Sequence, residues 1–219
     1  MQDSLLLKAD ELERRSIFLG GPRKRFIAAG RCQLEILLAH GLTPDDFVLD
    51  VGCGALRGGW WVINFLRPGR YFGIEPNRTM LDAGKEVMLG EELLAEKKPN
   101  FSNNDNFDFS VFGQKFDFVI GRSIWTHASK SQIQDMLQSF KQCSNTSGCF
   151  LTSILEPRLP IIPEYKGSGW IGRSHKSDVA GIAHYRFRTL RKFAQMAGLN
   201  AERLGIVEGQ RWIKITHGP

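Results

Sequence analysis

The chain has 219 residues, 42% of them apolar and 24% charged, which suits one soluble globular domain with a substantial core. Its formal net charge of +6 is a moderate excess that tolerates an anionic ligand or nucleic acid and demands neither. The sequence shows no internal repeat, no low-complexity tract, no apolar run long enough to span a bilayer and no apolar signal core at its start.

From Ser4 to Leu19, Leu5, Leu6, Ala9, Leu12 and Ile17 recur at helical spacing, and Gly20-Gly21-Pro22 stops the pattern. A second helix is expected from Arg23 to His40, with Phe26, Ile27, Leu34, Leu37 and Leu38 on one face and Gly41 as its stop. Thr43 to Asp46 form a tight turn into a first strand, Phe47 to Val51. The next helix starts near Leu56, carries Trp60, Trp61, Ile63, Phe65 and Leu66, and ends at Pro68-Gly69. A second strand spans Tyr71 to Glu75, and Asn77 caps the helix after it. A short third strand is expected around Asn100 to Asn104, and Phe116 to Gly121 reads as the fourth. A capping box, Ser129 to Gln132, opens the following helix, and Cys149 to Leu155 makes the fifth strand.

From Glu156 to Ala183 the chain is rich in Gly, Pro and polar residues, which reads as a lid or binding loop. Thr189 is expected to cap a helix through Met196 that Gly198 ends. Two last strands, near 201–207 and 210–216, are joined at Gly209 as an antiparallel hairpin. The alternation of strand and helix predicts an α/β fold: a Rossmann-like, doubly wound sheet with an antiparallel C-terminal hairpin and extra N-terminal helices. One domain is expected over 1–219, with 1–42 as a helical cap and 156–185 as the lid.

The stretch from Val48 to Gly59 carries the chemistry. A buried strand breaks into Gly52-Cys53-Gly54, and a second strand ends in an acid, Glu75. This describes a nucleotide-type pocket at the carboxyl ends of parallel strands. A dinucleotide turn would read G-x-G-x-x-G, and here the third glycine, Gly58, comes one place late. Asp50, two residues before the turn, would repel a pyrophosphate but suits a cationic or zwitterionic ligand. Glu75 is placed to accept from ribose hydroxyls, where a charged acceptor is about twice as strong as a neutral one. The four cysteines, Cys32, Cys53, Cys143 and Cys149, form no C-x-x-C pair. Neither a disulfide framework nor a metal site is expected, and a cytoplasmic location fits.

Asp50-x-Gly52-Cys53-Gly54 on the first strand, Glu75 ending the second and Phe116-Asp117-x-Val119 on the fourth together resemble a class I S-adenosylmethionine-dependent methyltransferase. The resemblance covers roughly Asp45 to Thr216, including the closing hairpin. It implies that S-adenosyl-L-methionine is the cofactor and S-adenosyl-L-homocysteine its product. Gly52, Cys53 and Gly54 would let the backbone approach the methionine part, and Asp50 would organise the turn and help hold the amino end. Glu75 would take the ribose hydroxyls, with Pro76 and Asn77 bordering the adenine. Asp105 would accept from the adenine amino group, with Asn106 or Phe107 beside the ring and Asn103, Asn104 and Asp108 as rivals. Arg122 and Ser123 would pass beneath the methionine end. Arg57 either pairs the cofactor carboxylate or stands as a solvated residue of the first helical turn.

The implied reaction needs an acceptor atom in line with the methyl–sulfur bond, and a base only where that atom must lose a proton. His127 leads as base, against a packing role, and His184 and Tyr185 follow it. Trp125 walls the substrate or belongs to the core. In the lid, Tyr165, Trp170, Arg173 and His175 are candidates for gripping a planar or anionic substrate, alongside Lys176 and Asp178. The expected function is methyl transfer to a small-molecule acceptor, through oxygen. RNA or protein methylation is the alternative, favoured by the positive charge and weakened by the absence of an RNA-binding module. A nucleic-acid partner is disfavoured but stays open, no membrane partner is expected, and the protein is expected to be a monomer or homodimer.

Overall fold

A computed structural model describes residues 2–159, 161–172 and 181–218. They fall into two compact units, Met1–Asn103 and Asn104–Pro219. Among the described residues the strands form one seven-stranded sheet in the order β3-β2-β1-β4-β5-β7-β6.

In the first unit, helix α1 spans Gln2–Arg14 and buries Leu5, Ala9 and Leu12. It stops five residues before the expected Leu19. Ser16 takes a left-handed φ of 57°, the Ile17 N–H donates to the Leu12 carbonyl and the Ser16 N–H to that of Glu13. These bonds satisfy the last carbonyls of the helix, with Ser in the place glycine usually fills. A 3₁₀ turn, Arg23–Arg25, precedes α2, Phe26–Ala39, which Gly41 (φ 95°) ends in the same way. The fully buried strand β1, Val48–Val51, runs parallel to β2, Tyr71–Ile74, and β2 runs parallel to β3, Asn100–Ser102. Helix α3 is Gly59–Phe65, three residues later than expected. Helix α4 is Arg78–Gly84, and a π turn at Lys85–Leu89 leads to α5, Gly90–Lys97.

In the second unit, a 3₁₀ turn at Phe109–Phe112 precedes β4, Phe116–Gly121. Helix α6, Lys130–Cys143, opens with the Ser129 capping box, in which the side chains of Ser129 and Gln132 each accept from the other residue's backbone N–H. Strand β5 spans Ser144–Ile154, starting five residues before the expected Cys149. Ser144 pairs with Phe116 and pairing resumes at Cys149 opposite Phe118, so 145–148 form an irregularity whose polar residues hid the strand. Helix α7 is Phe187–Met196, and its first flanking residue is Arg186 rather than Thr189. The cap comes from elsewhere in the chain: Glu164 Oε1 accepts from the Arg186 N–H and from Thr189 Oγ1, both at 2.8 Å. Strands β6, Leu199–Val207, and β7, Gln210–His217, form the antiparallel hairpin, and β7 pairs antiparallel with β5.

Candidate active site

The glycine turn in the first unit is built from backbone conformations that most residues avoid. Gly52 and Gly54 have φ of 72° and 57°, which glycine adopts without a Cβ penalty. The N–H groups of Gly52 and Cys53 both donate to the Ile74 carbonyl, at 2.8 and 3.0 Å, locking the turn to the end of β2. Glu75 completes it. Its Oε2 accepts from the Gly54 N–H at 3.0 Å and its Oε1 from the Asn77 N–H at 2.8 Å. Asn77 in turn caps α4 by accepting from the Met80 N–H at 3.0 Å. Burial pushes the Glu75 carboxyl up to about 7, against the two amide bonds and with a further push from Asp50.

Asp50 is also buried, and its Oδ2 accepts from the Tyr71 hydroxyl at 2.8 Å. Burial raises its carboxyl to about 6, opposed by Tyr71. The Cys53 thiol is pushed well up, first by burial and then by Asp50 and Glu75, so it is a neutral core group and no nucleophile. A Cβ placed on Gly54 would meet Met80 Sδ at 3.5 Å, an ordinary contact, so the close approach of a ligand there is limited by conformation and not by crowding. Arg57 extends along the N-terminal segment: its Nη2 lies 3.2 Å from a Cβ built on Gly20. Pro76 is half-buried between Glu75 and the α4 cap.

In the second unit, the segment after β3 is a chain of side-chain turns. Asn104 Oδ1 accepts from the Asn106 N–H, Asn106 Oδ1 from the Asp108 N–H, and Asp108 Oδ1 from the Ser110 N–H. Asp105 and Asn106 are exposed within it, and Phe107 holds a left-handed φ of 60°. After β4, Ser123 is also left-handed (φ 64°), and the Thr126 hydroxyl donates to its carbonyl at 2.7 Å. Arg122 Nε is buried without a hydrogen-bond partner among the described residues.

His127 follows on this turn. Its ring lies 5.5 Å from that of Trp170, and Trp170 lies 6.4 Å from Phe107 in a stacked arrangement. Burial lowers the His127 pKa, opposed by the backbone of Ile171 and Gly181, and its Nδ1 has no hydrogen-bond partner among the described residues. A Cβ on Gly172 would fall 2.6 Å from that nitrogen. Two residues of the Gly- and Pro-rich segment are stitched to this turn: Ile171 N–H donates to the His127 carbonyl at 3.0 Å and Ala183 N–H to that of Thr126 at 2.7 Å.

Trp125 takes the core alternative of its two readings, and Tyr185 is placed differently from expectation. Trp125 is fully buried, edge-on to Phe150 at 5.6 Å, and so packs the core and exposes no ring face to a substrate. Tyr185 is fully buried, its hydroxyl donates to the Ala128 carbonyl at 2.7 Å, and burial raises its pKa. Its proton is held by the backbone and is unsuited to transfer. His184 is half-buried, and its carbonyl accepts from the Tyr165 N–H. The Tyr165 hydroxyl closes a local turn onto the Gly169 carbonyl at 3.1 Å. Arg173, His175, Lys176 and Asp178 lie outside the described residues.

Sequence reasoning missed Tyr71 as the partner of Asp50, and Gly84. A Cβ on Gly84 would sit 2.7 to 2.9 Å from the Ala55 backbone, so α4 touches the glycine turn where only glycine fits. Helix pattern alone carries no signal for that contact. Among the described residues no His, Cys, Asp and Glu group is placed to hold a metal ion.

Residues 49–150 match the sequence pattern of the methyltransferase domain family. No curated protein matches the sequence. Solved structures do. The magnesium protoporphyrin IX methyltransferase ChlM from Synechocystis PCC 6803, with bound SAM, superposes with a TM-score of 0.65 at 16% identity over 90% of this chain and 81% of that one. An S-adenosylmethionine-dependent methyltransferase from Clostridium acetobutylicum ATCC 824 gives 0.65 at 12% identity over 96% of each chain. The sugar N-methyltransferase KedS8 from Streptoalloteichus sp ATCC 53650 gives 0.63 at 15% identity over 89% and 88%. At these identities the likeness speaks for the fold. Residues 49–150 are thus similar to a methyltransferase domain, and the chain shares the fold of S-adenosylmethionine-dependent methyltransferases.

Proposed function

We propose that the protein methylates a small-molecule acceptor at an oxygen atom, with His127 as the base. The observation that carries this reading is the pairing of Glu75 with the Gly54 and Asn77 amides, which holds a buried carboxylate rigidly at the end of β2. S-adenosylmethionine supplies an activated sulfonium methyl group. The residues of the first unit fit such a donor. Glu75 would accept from its ribose hydroxyls, the Gly52–Gly54 backbone would border its methionine part, and Asp50 would stiffen the turn from below through Tyr71. Within the second unit, the resemblance assigns the methionine end to Arg122 and Ser123 and the adenine to Asp105 and Asn106. The orphaned Arg122 Nε is a donor suited to a carboxylate.

His127 supports the oxygen assignment. A half-buried imidazole with a lowered pKa is neutral near pH 7 and can take a proton from a hydroxyl. Trp170 beside it, with Tyr165, offers aromatic surface for a planar acceptor. The small-molecule reading draws on the porphyrin and sugar enzymes among the structural relatives. The sugar N-methyltransferase favours nitrogen as the second reading. All four cysteines are buried and free, which fits a reducing cytoplasm, and no helix among the described residues is long and apolar enough to cross a membrane.

Calorimetry with S-adenosylhomocysteine tests the donor half; protein that binds none sinks the proposal. Incubation with labelled donor and panels of hydroxylated and aminated small molecules tests the acceptor half. Label recovered on nitrogen alone would overturn the oxygen assignment.

A further inference from the structure

The turn after β4 is held by side chains from two distant strands. The Ser123 N–H donates to Ser153 Oγ at 2.8 Å. Ser153 Oγ donates to Gln210 Oε1 at 2.6 Å, and Gln210 Nε2 donates back to Ser123 Oγ at 2.6 Å. The three residues close a ring. Ser153 is fully buried in β5, and Gln210 opens β7 immediately after the hairpin turn. The residue so held is the one with a φ of 64°, a conformation that serine rarely adopts unaided. From Ser123 the constraint runs along the turn. The Thr126 hydroxyl donates to the Ser123 carbonyl at 2.7 Å, and the His127 and Ala128 N–H groups both donate to the Ile124 carbonyl at 3.0 Å.

We infer that Gln210, acting with Ser153, is a positioning residue: it keeps Ser123 left-handed and thereby sets the turn that carries Arg122 and His127. The inference rests on the reading of that turn as part of the methyl-transfer site. The side-chain amide is suited to the task because it donates and accepts at once, so it bridges two hydroxyls with neither left unpaired. A closed ring of this kind is costly to break, since each lost partner strands another polar group. Glycine adopts the same φ without help, which makes the role separable from simple packing.

The test compares wild type, Gln210→Leu, and Gln210→Leu combined with Ser123→Gly. The first readout is the NMR titration of the His127 imidazole in ligand-free protein, assigned with a His127→Asn variant. The second is S-adenosylhomocysteine affinity by calorimetry. We expect Gln210→Leu to displace the His127 titration and to weaken binding roughly tenfold, about the worth of one retained hydrogen bond. Adding Ser123→Gly should restore both. Either readout unmoved in Gln210→Leu, or left displaced after Ser123→Gly, overturns the inference. Wild type that binds no S-adenosylhomocysteine overturns the donor assignment instead, and the His127 titration then decides the role of Gln210 alone. If Gln210→Leu does not fold, Ser153→Ala breaks the same ring at the Ser123 N–H and carries the same expectations.

Discussion

The turn after β1 and the turn after β4 do comparable work by different means. The first takes its shape from glycine: Gly52 and Gly54 are left-handed by nature, and two amides at the turn and the α4 cap complete Glu75. The second has no glycine between Arg122 and His127. Its left-handed residue is a serine, held by hydroxyl and amide groups 30 and 87 residues further along the chain. A turn written in glycine shows itself in the sequence. A turn enforced by distant side chains does not.

The largest expected effect falls on the first turn. Glu75→Ala removes the acceptor of two backbone donors and, on the proposed function, of the ribose hydroxyls. Bonds to a charged group are worth about 1.5–3 kcal/mol each, so S-adenosylhomocysteine affinity should drop on the order of 100-fold by calorimetry. Unchanged affinity would move the ribose site elsewhere and erase the contrast between the turns.

Gly84→Ala asks whether the first turn is as self-sufficient as it looks. The added methyl would press on the Ala55 backbone, which cannot swing aside as a flexible side chain would. Overpacking of this kind costs about 1–3 kcal/mol, read as a lower denaturation midpoint. A midpoint equal to wild type would show that α4 does not constrain the turn.

A third test uses pH. Burial raises Asp50 from 3.8 to about 6 and Glu75 from 4.5 to about 7. Between the unfolded and folded values the native state binds more protons than the unfolded chain. The stabilisation from these groups is therefore complete below about pH 4 and lost as pH rises through 6 to 7. Donor binding should run the other way, strengthening as Glu75 ionises. Thermal unfolding without ligand and calorimetry with ligand, each from pH 5 to 8, should show opposite slopes. Asp50→Asn should flatten the first slope; parallel slopes would refute the electrostatic account of the first turn.

The smallest effect belongs to the second unit. Tyr185→Phe removes one buried donor from the Ala128 carbonyl and should cost about 1 kcal/mol in urea unfolding. The pH dependence of activity should not change. A shifted profile would return Tyr185 to the list of proton carriers.

The strand–glycine turn–helix unit, the acid ending β2, the Asn77 cap, the Ser129 capping box and the closing hairpin were all legible because each is a short pattern with a local physical cause. Alternating burial, glycine conformations and side chains that cap their own helix need only near neighbours in the chain. The same locality explains the errors. Glu164, which caps α7, lies 22 residues before Arg186, and Thr189 looked like the cap because its true role needs that distant partner. Tyr185 read as a candidate for proton transfer, whereas packing put it in the core, and of the two readings of Trp125 packing took the core one.

The sequence by itself determined the element order, the glycine turn with its two acids, and through them the family resemblance. Tertiary structure alone decided that Tyr71 holds Asp50, that Gly84 meets Ala55, and that Gln210 and Ser153 hold Ser123. The reason is physical: a backbone conformation can be set by the residue that adopts it, but burial and a hydrogen bond between strands exist only once the chain has brought distant residues together.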